Sequence, residues 1–278
     1  MRLSGQRSPG AATSRSGLPM GNPLRRGYTY LVHPSGIHPG LPIRDREAHP
    51  RLGEREAVVE AEACLQCGGP FSPAPCVRGC PTGIDIPGFI LDIARGKPVD
   101  AARKIFSENI LGGTCARVCP VEVLCEGRCV LKDEGRHPIR IGSLQRHATE
   151  AAFAAGATVT APVQGKLTGP SVGVIGAGPA GLACAAELAR LGHPVVVYES
   201  REFFGGLITR GIAPYKQQIE PLPQEVEQIR RLGVEFRLGV TVGKDITAEQ
   251  LRAQHAALFL GVGMGDDVIA VSDCDLAR

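Results

Sequence analysis

Two short stretches hold eight of the ten cysteines: CLQCGGPFSPAPCVRGC, with Cys64, Cys67, Cys76 and Cys80, and CARVCPVEVLCEGRC, with Cys115, Cys119, Cys125 and Cys129. Thiols at this density point to metal, electron-transfer or disulfide chemistry. Disulfides need an oxidising compartment, and nothing in the sequence suggests export. Zinc favours separate four-ligand sets at short, regular spacing, whereas the gaps here are two, eight and three residues, then three, five and three. Cys80 and Cys119 are each followed by proline, as at the end of bacterial ferredoxin loops, where the last cysteine of a run serves the other cluster. Iron-sulfur chemistry is the favoured reading, with a zinc-stapled binding module as its rival.

The second stretch that can do chemistry is VGVIGAGPAGLACAAELARLGHPVVVYES. An apolar strand, Val172 to Ile175, runs into Gly176, Ala177, Gly178, Pro179, Ala180 and Gly181, and then come an alanine-rich helix and a strand ending at Glu199. In this G-x-G-x-x-G pattern the first glycine permits the tight turn, the second admits a pyrophosphate to the backbone, and the third lets helix meet strand. The helix N-terminus offers free amides to phosphates, and an acid where Glu199 stands bonds ribose hydroxyls. A dinucleotide-binding unit is expected. Cys184 on the helix is expected in the core, His137, His147 and His193 at the surface or in packing, and Cys274 has no evident role.

Both sites need a scaffold. Ile86, Phe89, Ile90 and Ile93 recur at helical spacing up to Gly96, and a second helix is expected over Asp100 to Glu108 with Ala101, Ile105 and Phe106 inward. A third, SLQRHATEAAFAA, should open at Ser143, a good N-cap residue. The cysteine loops then lie between short helices. Residues 1–55 are rich in Arg, Gly, Pro and Ser, have no acid before Asp45, and are expected to be a disordered basic extension. The expected organisation is that extension, a helical cysteine-bearing domain over 56–165, and an α/β domain over 170–278. A net charge of +3 is too slight to argue for nucleic acid, and no apolar run is long enough for a bilayer. A soluble, cytoplasmic protein with neither partner is expected.

Together, CLQC, PCVRGCPTGIDIPGFI, ILGGTCARVCPVEVLCEGRC and IGSLQRHATE resemble the N-terminal iron-sulfur domain shared by glutamate synthase small subunits and dihydropyrimidine dehydrogenase. The likeness covers roughly residues 56 to 265. It implies an α plus α/β fold: a small helical domain with twin 4Fe-4S clusters, then a partial Rossmann-like FAD-binding domain of the two-dinucleotide flavoprotein type. Carried over residue by residue, one cluster takes Cys64, Cys67, Cys76 and Cys129. The other takes Cys80, Cys119, Cys125 and Gln145, leaving Cys115 a thiol without iron. Where the family has four residues between the second and third cysteines, this chain has the eight of GGPFSPAP, whose glycines and prolines suit a looped-out insertion.

In the α/β part the resemblance favours FAD over NAD in the glycine turn and adds Ser200, Gly205, Gly206, Leu207, Lys216, Val242 and Gly263 to its contacts. Lys216 stands where the family has an arginine. Family members continue with a second glycine-rich fold for NAD(P)H, so a second subunit or a C-terminal continuation carrying it is expected, along with a partner reductase or synthase subunit. The implied function is electron input. NAD(P)H would reduce FAD, and the clusters would pass single electrons to a site that reduces a pyrimidine or forms glutamate, with no side chain here acting as acid, base or nucleophile. A non-catalytic iron-sulfur remnant is the other expectation.

Overall fold

The computed structural model describes residues 51–160 and 167–264, preceded by an antiparallel ribbon of β1 (Val32–His33) and β2 (Gly36–Ile37). Residues 51–160 are helical: α1 (Glu54–Glu62), α2 (Pro75–Gly79), α3 (Ile86–Ala94), α4 (Pro98–Glu108), α5 (Gly112–Val118) and α6 (Ile141–Ala154). Proline falls in the first turn of α2, α3 and α4, where its missing N–H leaves no helical bond unmade. The Asp85 carboxylate caps α3 by accepting from the Gly88 amide at 3.0 Å. Helix α3 buries Ile86, Phe89, Ile90 and Ile93, and α4 buries Ala101, Ala102, Ile105 and Phe106. Both pack against Leu144, Ala148 and Ala152 of α6, and the Phe106 and Phe153 rings lie 5.6 Å apart. Leu52, ahead of α1, already belongs to this core.

Ser143 does not open the third helix. Helix α6 starts at Ile141 with Arg140 as its N-cap residue, and no side chain at that cap bonds the first turn. Carboxylates from elsewhere do the capping: Glu126 accepts from the Gly142 amide at 3.0 Å, and Glu60 from the Arg140 amide at 2.9 Å. A local cap was unnecessary because two remote acids satisfy the free amides.

Residues 167–264 form β3 (Val172–Ile175), α7 (Pro179–Arg190), β4 (Val195–Glu199), α8 (Leu207–Arg210), α9 (Leu222–Arg231), β5 (Glu235–Leu238), α10 (Ala248–Gln254) and β6 (Ala257–Leu260). The sheet is parallel, in the order β5-β4-β3-β6. The central strands bury Val174 and Val197, and α7 lays Leu182, Ala185, Ala186 and Ala189 into the core, as a sheet covered by helices requires. One contiguous apolar core runs through both halves. Helix α9 packs against α5 and is one of the elements that join them. Among the described residues no helix is long and apolar enough to cross a membrane.

Candidate functional site

The thiols line two cavities. Cys64, Cys67, Cys76 and Cys129 face the first, against Ile86, Ile90 and Leu131. Cys80, Cys115, Cys119, Cys125 and Gln145 face the second, with Asn109 and Ile84. Each run of cysteines therefore contributes to both. Cys76 lies in α2 and Cys80 caps its C-terminal end, so a single short helix divides the two thiols between cavities. Cys125 and Cys129 flank the 3-10 turn Glu126–Arg128 and part in the same way. Among the described residues no three His, Cys, Asp or Glu side chains come close enough to hold a single metal ion. The donors surround two spaces rather than converge on a point.

The eight-residue segment between Cys67 and Cys76 does loop out. Gly69 and Ser72 exchange backbone hydrogen bonds of 3.0 and 3.4 Å, closing the turn over Pro70 and Phe71. The Phe71 side chain is fully exposed, and the chain returns so that Cys76 lines the same cavity as Cys64.

Burial controls the thiols. It pushes Cys76 up to about 11, with Cys64 and Cys129 adding like-charge repulsion, and it pushes Cys125 up to about 12, with Glu126 and Cys80 adding to it. Cys64 is raised by burial too. Cys119 is held below the usual thiol value, first by a hydrogen bond with Cys115, and the same bond raises Cys115. Asn109 Nδ2 donates to Cys115 Sγ at 3.0 Å. A buried set of thiols suits a cationic centre, because metal binding is what makes their deprotonation favourable there. Gln145, almost fully buried, donates from Nε2 to the Gly112 carbonyl at 2.7 Å. That bond commits the amide nitrogen and leaves the oxygen as its acceptor.

At the C-terminal edge of the sheet the glycine turn is built as its sequence requires. Gly176 has φ +102°, and a Cβ there would lie 2.4 Å from the Gly261 carbonyl oxygen. Its amide donates to the Tyr198 carbonyl at 2.7 Å. The Glu199 carboxylate accepts from the Ala177 amide at 2.8 Å, the Arg201 amide at 3.0 Å and the Ser200 hydroxyl at 3.2 Å. A carboxylate has about four acceptor positions, so roughly one remains for a ligand hydroxyl. Gly205 donates to the Ala177 carbonyl at 2.7 Å, and a Cβ on Gly206 would come within 3.0 Å of the Gly178 Cα. The second loop thus closes onto the turn, with Leu207 exposed at the start of α8. Val242 follows β5, and Gly263 follows β6 at φ +66°. Lys216 is set apart in the turn after Ala213, exposed, beside Gln217. Cys184 packs half-buried against the core.

The fold joins a helical region with two thiol-lined cavities to a Rossmann-like α/β region. Residues 43–157 match the family described as dihydropyrimidine dehydrogenase domain II, 4Fe-4S cluster, and residues 174–220 match an NAD(P)-binding Rossmann-like domain. The chain is 38% identical over 218 residues to the glutamate synthase [NADPH] small chain of Escherichia coli (strain K12), which covers 78% of this chain and 45% of that protein. It is 37% identical over 237 residues to the small chain of Mycobacterium tuberculosis (strain H37Rv), covering 85% of this chain and 47% of that one. The Halomonas elongata small chain is 38% identical over 211 residues, 75% of this chain and 43% of its own length. This chain is similar over most of its own length to the glutamate synthase small chains, and spans about half of theirs.

Several residues that shape the second cavity had no sequence signal. Glu225 and Asn109 lie outside the quoted motifs, Thr114 and Arg117 fall inside ILGGTCARVC without being singled out there, and Glu225 meets Thr114 across 111 residues of chain.

Proposed function

We propose that the chain is the electron-carrying part of an NAD(P)H-linked oxidoreductase, with FAD at the glycine turn and a 4Fe-4S cluster in each cysteine cavity. In this reading Cys64, Cys67, Cys76 and Cys129 hold one cluster, and Cys80, Cys119, Cys125 and Gln145 hold the other. Bound, these groups convert two-electron into one-electron chemistry and pass single electrons onward. The observation that carries the reading is the sharing of each cysteine run between two separate cavities, which suits two clusters better than one zinc staple per run.

The residues supply binding, orientation and exclusion of water. Amides at the start of α7 face the phosphate position, and Glu199 keeps an acceptor for a ribose hydroxyl. Gly205 and Gly206 close over the turn, which supports FAD there. Lys216 would bring a positive charge without the fork of an arginine. Apolar walls of Ile86, Ile90 and Leu131 keep water from the first cluster. Gln145 would offer iron its amide oxygen, held in place by the Gly112 carbonyl. The names of the relatives favour glutamate formation over pyrimidine reduction as the final reaction, with a large synthase subunit in the cytoplasm as partner. The NAD(P)H fold would come from a C-terminal continuation or a second subunit.

Iron, labile sulfide, zinc and flavin measured on anaerobically purified protein test this. Two four-iron clusters require about eight iron and eight sulfide per chain, with flavin up to one per chain. Stoichiometric zinc without iron or colour would overturn the reading.

A further inference from the structure

We propose that Glu225 is a positioning residue for the second cysteine cavity, fixing the first turn of α5 from the dinucleotide-binding side of the molecule. The inference rests on the reading that this cavity takes a 4Fe-4S cluster. Glu225 lies in α9 and is fully buried, yet both its oxygens serve another helix. Oε1 accepts from the Gly113 amide at 2.8 Å and the Thr114 amide at 3.0 Å. Oε2 accepts from the Thr114 hydroxyl at 2.6 Å.

These contacts fall beside the atoms that shape the cavity wall. The Gly112 carbonyl, one residue before, holds Gln145. Cys115, one residue after, bonds Asn109, and the Cys119 amide closes the helix on the Cys115 carbonyl at 3.0 Å. From the nucleotide side Gln217, next to Lys216, donates to the Thr114 hydroxyl at 3.3 Å. Thr114 is therefore gripped by two residues of the α/β half while its neighbours orient the wall.

A neutral side chain would suffice for a simple staple, and a buried carboxylate is costly unless its partners suit the charge. Burial pushes Glu225 up to about 7 against the pull of the Thr114 and Gly113 hydrogen bonds and of Arg117. The charged and titratable groups around it are Arg117 and Cys115 of α5. Arg117 also bonds the Gly113 carbonyl and pairs with Glu150 of α6, which takes Arg146 as well. Position and charge at α5 are thus set together.

The test compares Glu225→Gln and Thr114→Val with wild type in the full chain, reconstituted anaerobically, by iron content, thermal melting and redox-poised electron paramagnetic resonance of each cluster. For Glu225→Gln, compared with wild type above about pH 8 where the Glu225 carboxylate is ionised, we expect wild-type iron, one cluster with an altered signal and a higher midpoint potential because a nearby negative charge is gone, and the other cluster unchanged. Thr114→Val, which keeps the charge and removes one donor, should alter the same signal less. Two unchanged signals at full iron would overturn the proposal, as would both signals moving together with a lowered melting temperature. Should Glu225→Gln fail to fold, Thr114→Val decides by the same criteria. A wild-type chain without two four-iron signals would remove the parent reading instead, so the two failures are distinguishable.

Discussion

His255 shows how a single buried residue can be read from its partners. Its Nδ1 lies 2.8 Å from the Ser171 hydroxyl and its Nε2 2.9 Å from the Tyr198 hydroxyl. Arg237 donates to that Tyr198 oxygen at 3.3 Å, and the arrangement in which Tyr198 donates to Nε2 and Nδ1 donates to Ser171 gives every one of these protons an acceptor. A neutral ring satisfies this network. Burial first, and then Arg237, hold His255 below the ordinary value of 6.5. A base with a depressed folded-state value takes up protons more readily when unfolded, so its contribution to stability is complete above about 6.5 and lost as pH falls below that. Glu225, raised to about 7, has the opposite slope, and the difference between a His255 variant and wild type cancels it. We expect His255→Gln to cost about 1–3 kcal/mol at neutral pH, the cost shrinking below about pH 6.5. Urea unfolding of both proteins from acid to neutral pH measures it, and a cost independent of pH would contradict the assignment.

Elements were legible in the sequence where their causes are local. The spacing of Ile86, Phe89, Ile90 and Ile93 gave α3, that of Ala101, Ile105 and Phe106 gave α4, and the glycine pattern gave the turn between β3 and α7. The start of α6 was misplaced because Glu60 and Glu126 cap it from distant segments. Glu225 was invisible because nothing near it in sequence marks a carboxylate that serves α5. The glycine turn permits a prediction that separates folding from binding. A Cβ on Gly181 would meet the Gly176 carbonyl oxygen at 1.9 Å, whereas one on Gly178 has nothing within 4 Å. Gly181→Ala must push α7 off β3 and should cost about 1–3 kcal/mol. Gly178→Ala should leave stability within about 0.5 kcal/mol but lose bound dinucleotide, because its methyl occupies the space a pyrophosphate would approach. Thermal melts and flavin content of the two variants check this. Equal destabilisation would show that the second glycine serves the fold rather than the ligand.

At the scale of the whole molecule, the two halves share more than a linker. Gln228 of α9 accepts from the Val159 amide at 3.1 Å and donates to the Ala157 carbonyl at 3.3 Å. Arg190 of α7 donates to the Phe106 carbonyl at 2.6 Å and the Ser107 carbonyl at 3.3 Å, covering the C-terminal end of α4 where free carbonyls need donors. With Glu225 on α5 and one apolar core through both halves, neither half can open without exposing surface and stranding polar groups of the other. Unfolding should therefore be a single cooperative transition. In a chain with Tyr28, Tyr30 and Tyr215 changed to Phe, Tyr198, buried in β4, reports the α/β half through its near-UV signal, and far-UV ellipticity weights the helices. In urea the two probes should share one midpoint. Phe106→Ala removes a fully buried ring from α4, a loss of about 3–5 kcal/mol. It should lower the Tyr198 midpoint as much as the far-UV one, although Phe106 and Tyr198 lie in different halves. Two separated midpoints, or a Tyr198 signal indifferent to Phe106→Ala, would mean that the halves fold independently and that contacts such as that of Glu225 form only after each has folded.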